Sequence, residues 1–493
     1  MLFRSVDDGT QFPPIPSPSK HLPIQISNSN LLKMWWLQDR KFKRPITEFR
    51  IQVTCPAIII HDPLHRACTD LLRKLCADAL METVYLAEMC ELECTIDATD
   101  TGFYFRFYGF DDKLLDLFTT TMTLFLSFTK VTDTLPDSIA TDRFHVCLEI
   151  LQRQYKNSGT TSSNLSNGLR LRAIRPTIYS PSQKLKSLDG ITIPTFCQTI
   201  SSILKSFSVE AFIHGNVAKD DAHTARDALL NLVSTVNSVG LARKQYPPQS
   251  VLRIPNVLEA TQIIVPSFNP SEQNTSCDVY IQVGKDNVRD RVMLDLLMHM
   301  MENPMYDQIR TQDQFGYDVY CSGRWTFGIL GCIFHVTTNV KTAAEVVERI
   351  DKFIADFRND LSRMPTKAYH EHLVGLAKQK LDMYNNLTDE TDTLWSEIDN
   401  GRFEWEAWRN ETVCLKDISK DDVMKALDEW ILPGTKRNIL SVQVIGSGKT
   451  DSSIGRPILD NDSNAIDYAD DRIQEFHKLC KNQIWGRINS KLF

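Results

Sequence analysis

The sequence has little of what membrane-spanning, secreted or nucleic-acid-binding proteins need. Its longest apolar runs, such as residues 57–60 and 122–126, fall far short of the roughly 20 residues of a membrane-spanning helix. Residues 1–11 contain charged side chains and no apolar stretch of secretory length, so we expect no signal peptide and a soluble, cytoplasmic chain. There are 55 Lys and Arg against 62 Asp and Glu, a net charge of −7, without the basic excess typical of nucleic-acid-binding proteins.

A disulfide framework is not expected either. The twelve cysteines are scattered from Cys55 to Cys480 in a chain without a secretory signal, which favours reduced thiols in a protein core. With 42% hydrophobic and 24% charged residues, the composition is that of an ordinary globular protein. At roughly 150 residues per domain, a chain of 493 residues should contain two to four domains.

No complete motif for a catalytic metal, a nucleotide or a serine nucleophile occurs. H-x-x-E-H, H-E-x-x-H and G-x-S-x-G are all absent. Residues 448–450 (Gly-Lys-Thr) resemble the end of a phosphate-binding loop, but Gln443 stands where the first glycine of that loop belongs. A nucleotide site is therefore not expected.

Two histidine pairs come closest to a metal site. His370 and His372 are two residues apart on a predicted helix, which points their rings to nearly opposite sides. His61 and His65 have the i, i+4 spacing of a helical zinc pair, but Asp62 and the proline after it indicate a helix that starts only after His61. We expect that the chain binds no metal or cofactor of its own.

The pattern of apolar residues predicts an α+β fold with two similar domains, each a mainly antiparallel sheet packed with helices. Residues 49–128 read as strand, helix, two strands and helix, and this order starts again after the proline-containing stretch 245–250. A helix over 288–301 should end at Pro304. Both halves end in a strand followed by glycine, at residues 214–215 and 445–446, which indicates two copies of one design.

Four segments follow from these boundaries. Residues 1–40, rich in proline and serine at their start, are predicted to be an N-terminal connector. The two domains should span 41–246 and 250–447. Residues 448–493 are predicted to be a tail with an amphipathic helix, and the Ser- and Asn-rich stretch 157–168 is predicted to be a loop.

Several short segments together resemble one protein family. Residues 304–330 (PMYDQIRTQDQFGYDVYCSGRWTFGIL) are similar to a segment from the C-terminal half of the inverzincin zinc metallopeptidases of the insulin-degrading enzyme and nardilysin group. Residues 37–44, 214–217 and 440–446 resemble further segments of that group, in the same order. The run 294–304 together with 328–331 is closer to nardilysin.

The resemblance implies that this chain corresponds to the third (middle) and fourth domains of a four-domain peptidase. Such domains form one bowl-shaped half of a chamber that encloses a peptide. Zn²⁺ would then belong to an N-terminal half, covalently linked or a separate chain, that carries H-x-x-E-H. This chain would be inactive alone, and its partners would be peptides and the zinc-bearing half. We expect it to bind neither nucleic acid nor a membrane. Whether it forms a dimer is left open.

The resemblance also implies roles for three side chains. Tyr317 matches a tyrosine that donates a hydrogen bond to the scissile carbonyl, and Arg310 matches an arginine that reaches the substrate. A phenol O–H and a guanidinium both stabilise an oxyanion. Tyr306 would line a pocket for a substrate side chain. From the residues alone, Tyr317 could instead belong to a strand core, Arg310 could be a cation at a helix end, and Tyr306 could serve packing.

An anion site and a second function remain open from the sequence. Lys378 and Lys380 match part of the polyanion-binding cluster of the insulin-degrading enzyme, although the following segment lacks its other lysines. The chain could be the zinc-free half of a peptidase that supplies Arg310 and Tyr317, or a catalytically inactive peptide-binding or scaffold protein of the same fold.

Overall fold

The structure is a computed structural model that describes residues 11–60, 62–236, 240–241, 249–382, 384–447, 462–480 and 484–486. Its strands are β1 (Ile24–Asn28), β2 (Leu32–Gln38), β3 (Ile46–Thr54), β4 (Glu93–Thr99), β5 (Gly102–Phe110), β6 (Ser208–Gly215), β7 (Ser250–Leu252), β8 (Asn256–Val257), β9 (Thr261–Pro266), β10 (Thr275–Lys285), β11 (Asp318–Thr326), β12 (Ile329–Thr338), β13 (Arg437–Ile445) and β14 (Ile484–Gly486).

The helices of the described residues are α1 (Pro56–Ile60), α2 (Pro63–Ala79), α3 (Met81–Glu88), α4 (Asp111–Ser127), α5 (Thr141–Lys156), α6 (Ser162–Ile174), α7 (Pro181–Ser187), α8 (Ile193–Ile203), α9 (Lys219–Ser234), α10 (Val288–Met305), α11 (Ala343–Arg363), α12 (Thr366–Leu381), α13 (Leu387–Asp399), α14 (Ala407–Leu415), α15 (Lys420–Trp430) and α16 (Asp462–Leu479). Among the described residues, no helix combines the length and apolar character that a membrane crossing requires.

The two domains repeat one sheet. The strand order β2-β6-β3-β5-β4 of the first sheet matches the order β9-β13-β10-β12-β11 of the second. In each sheet the first pair of this series is parallel and the next three pairs are antiparallel. Each sheet buries one face against the helices of its own domain. The predicted α+β class and the predicted duplication are both confirmed.

Local sequence signals account for the first long helix of the first domain. Asp62 is the N-cap of α2, and its carboxylate accepts hydrogen bonds from the backbone N–H groups of Leu64 and His65. Pro63 occupies the first helical position, where the missing N–H has no intrahelical partner to lose. Leu71 and Leu75, four residues apart, are fully buried, so the helix packs one face on the sheet.

The predicted connector 1–40 is wrong for residues 24–38. These residues form β1 and β2, and β2 pairs in parallel with β6. Leu32, Met34 and Trp36 alternate along β2 and pack in the first core. Burial of these side chains favours the strand despite the proline-rich residues before it. The domain boundaries otherwise remain predictions, and residues 242–248 and 448–461 lie outside the described residues.

The stretch 157–168, predicted to be a loop, contains the start of α6. Thr161 caps this helix by accepting a hydrogen bond from the backbone N–H of Asn164. Leu165 and Leu169 pack on the face of the second sheet that its own helices leave uncovered. The polar composition misled the prediction because short serine and asparagine side chains also suit the first turn of a helix.

The contact between the domains is reciprocal. α6 of the first domain packs on the second sheet. In turn, α13 of the second domain packs on the face of the first sheet that the helices of the first domain leave uncovered. There Leu394 and Trp395 pack against Trp35 and Phe212. The tail helix α16 was predicted as amphipathic, and its residues Ala469, Ile473 and Phe476, with Cys480 directly after the helix, pack beside α6 on the second sheet. Each domain therefore covers apolar surface of the other.

Candidate functional site

Two of the candidate side chains lie where the helix geometry changes. The prediction that Pro304 ends α10 is wrong, because the helix continues to Met305 and residues 306–312 follow as a π-helix. Proline lacks the N–H of one rung of the α-helical ladder, and the wider turn follows directly. Met305 and Ile309 are fully buried and anchor the segment. π-helical turns are frequent at functional sites.

Arg310 and Tyr306 contact each other on this segment and both are exposed. The guanidinium carbon of Arg310 lies 4.7 Å from the centroid of the Tyr306 ring. Its Nη1 donates a hydrogen bond to the Tyr306 hydroxyl oxygen. Since a guanidinium carries five N–H donors, this contact orients the group and leaves other donors for a ligand. The structure thus brings two of the sequence-predicted residues together.

A short loop connects the π-helix to Tyr317. Asp313 fixes the start of the loop by accepting a hydrogen bond from Arg349 Nε at 2.6 Å. A Cβ atom at Gly316 would lie 2.2 Å from the carbonyl oxygen of Thr337, so glycine is required there. The backbone N–H of Tyr317 donates to the same oxygen at 3.2 Å. The position of Tyr317 is therefore set by the backbone of β12.

The side chain of Tyr317 points to solvent. It is 59% exposed and precedes β11, so the alternative of a strand-core tyrosine is wrong. Partial burial and the negative charges of Glu272 and Asp318 raise the pKa of the phenol above its ordinary value. A raised pKa keeps the O–H protonated at neutral pH. The group can therefore donate a hydrogen bond to an oxyanion.

A buried polar cluster supports this loop from behind. His335 Nε2 lies 2.9 Å from the hydroxyl oxygen of Thr337 and 3.4 Å from a carboxylate oxygen of Asp318. His335 Nδ1 lies 2.5 Å from Asp278 Oδ1, and Arg170 Nε of α6 approaches the other oxygen of that carboxylate at 3.5 Å. The cluster joins three strands of the second sheet to α6.

Sequence reasoning missed this cluster, although a signal exists. Alternate residues of β10, beginning with Cys277 and Val279, pack in the main core of the second domain. Ser276 and Asp278 must then lie on the other face of the sheet. Both are nevertheless buried, because α6 covers that face. Because residues 157–168 were predicted to be a loop, the helix that covers Ser276 and Asp278 was not anticipated.

The two lysines of the predicted anion site have different surroundings. Lys380 Nζ lies 2.6 Å from Asp295 and 2.8 Å from Glu411, and its side chain is only 12% exposed. Burial lowers the pKa of Lys380, but the two carboxylates outweigh burial and raise it overall. Its charge is thus already balanced, which argues against a role in anion binding. Lys378 is exposed near the end of α12.

Zinc does not fit the described part of the chain. Across these residues there is no group of three or more His, Cys, Asp or Glu that could hold a metal ion. His372 packs its ring edge-to-face on His299, with 6.0 Å between the ring centroids. His61 lies outside the described residues, whereas His65 contacts Asp62 at the start of α2.

The comparisons with family models agree with the order of the two domains. A model described as the middle or third domain of peptidase M16 matches residues 10–187. A model described as the C-terminal lobe domain 4 of PqqF-like PQQ synthase matches residues 296–395. The second match contains Arg310 and Tyr317.

Curated relatives match over most of this chain. Human nardilysin is 27% identical over 436 residues, which are 88% of this chain and 36% of the relative. A nardilysin-like protein of Arabidopsis thaliana is 26% identical and covers 82% of this chain and 39% of its own length. Human insulin-degrading enzyme is 24% identical over 88% of this chain and 41% of its own length. The chain therefore spans about two fifths of these relatives.

Solved structures share the fold. Pitrilysin superposes with a TM-score of 0.76 at 17% identity, covering 90% of this chain and 45% of pitrilysin. A peptidase M16 inactive domain from Pseudomonas fluorescens superposes with a TM-score of 0.63 at 11% identity, covering 87% of this chain and 99% of that one.

Proposed function

This chain belongs to the M16 peptidase family, and we propose that it acts as the zinc-free C-terminal half of a nardilysin-like metalloendopeptidase. It would bind peptide substrates together with a zinc-bearing N-terminal half. The observation that carries the proposal is the contact between the exposed Tyr306 and Arg310 on the π-helix, followed five residues after it by the exposed Tyr317.

The chemistry of these side chains suits a peptide carbonyl. Attack on the carbonyl carbon places negative charge on its oxygen, and preorganised donors stabilise that charge. The phenol of Tyr317 supplies one hydrogen bond, and the guanidinium of Arg310 supplies a charge-assisted one. Tyr306 restricts the guanidinium through its ring and its hydroxyl oxygen. The contribution that we propose for this chain is therefore substrate binding and charge stabilisation.

The test is complementation. The chain is mixed with a purified N-terminal half of human nardilysin, and cleavage of a fluorogenic peptide is measured. We expect activity in the mixture and none with either half alone. Tyr317→Phe should lower kcat about a hundredfold, since losing one oxyanion donor costs on the order of 3 kcal/mol.

The matched control is Tyr85→Phe. Tyr85 is 61% exposed on α3, close to the 59% of Tyr317, but it belongs to the first domain. We expect cleavage to be unchanged by this substitution. If cleavage by the mixture equals that of the N-terminal half alone, the proposal is wrong.

A second candidate function has one observation in its favour. The match to the Pseudomonas fluorescens inactive domain covers 99% of that chain, so a chain of this extent and fold exists that is described as inactive. This chain could likewise be an inactive peptide-binding shell. Peptide affinity that survives Arg310→Ala and Tyr317→Phe without any partner half would favour this function.

The cellular location and the assembly stay predictions. We predicted a cytoplasmic chain, and its relatives include an insulin-degrading enzyme-like protein of Arabidopsis thaliana described as peroxisomal. Fractionation of cells that express a tagged full chain would settle the location, and light scattering would settle whether it dimerises.

A further inference from the structure

The side chain of His335 on β12 does not belong to the main core of the second domain. Its neighbours along the strand, Phe334 and Val336, are fully buried in that core. Successive side chains of a strand point to opposite faces, so His335 lies on the other face of the sheet, which α6 of the first domain covers. His335 is only 2% exposed, so any part that it plays in binding or catalysis is indirect.

Both ring nitrogens of His335 have polar partners. Nδ1 lies 2.5 Å from Asp278 Oδ1, and since an ionised carboxylate only accepts hydrogen bonds, Nδ1 carries a proton. Nε2 then faces the hydroxyl oxygen of Thr337 at 2.9 Å and a carboxylate oxygen of Asp318 at 3.4 Å. The ring of Tyr320 stacks on the imidazole, with 4.9 Å between the ring centroids. The orientation of the imidazole is therefore fixed at both nitrogens and on one ring face.

The two partners of Nε2 are the residues that locate Tyr317. Asp318 follows Tyr317 in the chain, and the backbone N–H of Tyr317 donates to the carbonyl oxygen of Thr337 at 3.2 Å. Asp318 and Thr337 are also paired across β11 and β12. One imidazole thus contacts both residues on which the position of Tyr317 depends.

The other end of this network is held by α6. Arg170 Nε approaches a carboxylate oxygen of Asp278 at 3.5 Å, and Ser276 Oγ lies 2.8 Å from both Ser162 Oγ and Thr337 Oγ1. These five side chains are at most 3% exposed. Hydrogen bonds in such a buried, connected network are stronger than in water and make the network rigid. The network therefore connects the first domain to the loop that carries Tyr317.

We propose that His335 is a positioning residue, which holds the phenol of Tyr317 in place through Thr337 and Asp318, with α6 as the anchor. The consequence for catalysis rests on the function proposed above, whereas the positioning itself does not. Without the contacts of Nε2 the loop moves, and the phenol leaves the place where the oxyanion forms. A displacement of about 1 Å is enough to lower a rate strongly.

The first measurement uses the full chain alone and needs no peptidase activity. His335→Asn keeps a donor close to Asp278 and removes the contacts of Nε2, and Thr337→Val keeps the shape of threonine without its hydroxyl. Hydrogen exchange of the Tyr317 amide is followed by mass spectrometry. We expect about fivefold faster exchange in both variants, the change that loss of one hydrogen bond produces in a local opening equilibrium.

The matched control is His214→Asn in the first domain. His214 is 1% exposed, and its Nδ1 lies 2.8 Å from the hydroxyl oxygen of Thr391 on α13. This variant also removes a buried histidine with a threonine partner, and it should leave exchange of the Tyr317 amide unchanged. Unchanged exchange in a folded His335→Asn chain would overturn the proposal. If that variant does not fold, unchanged exchange in Thr337→Val would do so.

The second measurement is cleavage by the mixture with the N-terminal half of human nardilysin. His335→Asn should lower kcat about tenfold and change KM by less than about twofold, because an oxyanion donor acts in the transition state. In the Tyr317→Phe background it should lower kcat no further, since it acts only through that phenol. An equal loss of kcat in both backgrounds would show a merely structural role and contradict the proposal. If the mixture does not cleave, the proposed function fails, and exchange of the Tyr317 amide still decides whether His335 positions this residue.

Discussion

The two domains share a sheet but differ in the segment that leads to its edge strand. In the first domain this segment is α3, where Met81, Tyr85 and Leu86 are more than half exposed. In the second domain it is the π-helix that carries Tyr306 and Arg310. The same strand order therefore supports an apolar surface in one domain and hydrogen-bond donors in the other.

The two domains have the sheet and its core helices in common, whereas the connecting segment and its exposed side chains differ between them. The sheets and their core helices can be duplicated because burial requires only apolar residues at the right period. The connecting segment is exposed and makes few core contacts, so its side chains are free to differ. The duplicated parts should accordingly control stability, and three predictions test how far the domains are equivalent.

The largest expected effect concerns the reciprocal helices. Trp395 of α13 is 8% exposed against the first sheet, and Leu169 of α6 is fully buried against the second. We expect Trp395→Ala to lower the free energy of unfolding by about 4 kcal/mol and Leu169→Ala by about 3 kcal/mol, because each leaves a cavity between the domains. Urea unfolding followed by circular dichroism measures both.

The control for these truncations is Leu86→Ala, whose side chain is 57% exposed on α3. It should change the free energy of unfolding by less than about 0.5 kcal/mol. If only one of the two interface variants destabilises the chain, the reciprocal packing does not bind the domains equally.

The second prediction concerns the residue that precedes the glycine at the end of the central strand. In the first domain this residue is His214, next to the last residue of β6, and in the second domain it is Ile445, the last residue of β13. Burial lowers the pKa of His214 from 6.5 to about 4, with Asp39 opposing this shift and His21 and Arg50 adding to it. Glu390 also faces the ring, at 3.9 Å. The folded state therefore holds His214 neutral.

The sign of the pH effect follows from this. The unfolded chain binds a proton at His214 below about pH 6.5, and the folded chain does so only near pH 4. The stabilisation of the folded state by neutral His214 is fully present above pH 6.5. It is lost as the pH falls to 4, which lowers the free energy of unfolding by about 3 kcal/mol. In His214→Ile this part of the acid sensitivity should disappear, as urea midpoints between pH 4 and 7 would show. Identical pH profiles of variant and wild type would contradict the prediction.

The sequence predicted those features that local signals or periodicity determine. The N-cap at Asp62, the repeated order of strands and the buried face of α16 are of this kind. Tyr317 and Arg310 were identified by resemblance, because an exposed tyrosine and an exposed arginine carry no pattern of their own. The structure adds the contact between Arg310 and Tyr306, and the roles of Arg310 and Tyr317 stay predictions.

The features that sequence reasoning missed depend on distant parts of the chain. β2 is a strand because it pairs with β6, and α6 is a buried helix because Leu169 packs on the second sheet. The π-helix after Pro304 is held by Met305 and Ile309 in the core. β6 and the second sheet are distant in sequence from β2 and α6, so a window of neighbouring residues could not identify these partners.

The smallest expected effect concerns α6, the helix whose start was predicted to be a loop because of its polar composition. Gly168 lies within α6, and a Cβ atom added there would meet nothing within 4 Å. Gly168→Ala should raise the free energy of unfolding by about 0.5–1 kcal/mol, because alanine restricts the unfolded chain and favours the helix. Gly190 is the matched control, since it also has open space but a φ of +68°. Gly190→Ala should lower the free energy of unfolding by about 1 kcal/mol, since an L side chain is strained in that region. Thermal unfolding of both variants measures the difference, and a destabilising Gly168→Ala would show that residues 162–174 do not form a helix in solution.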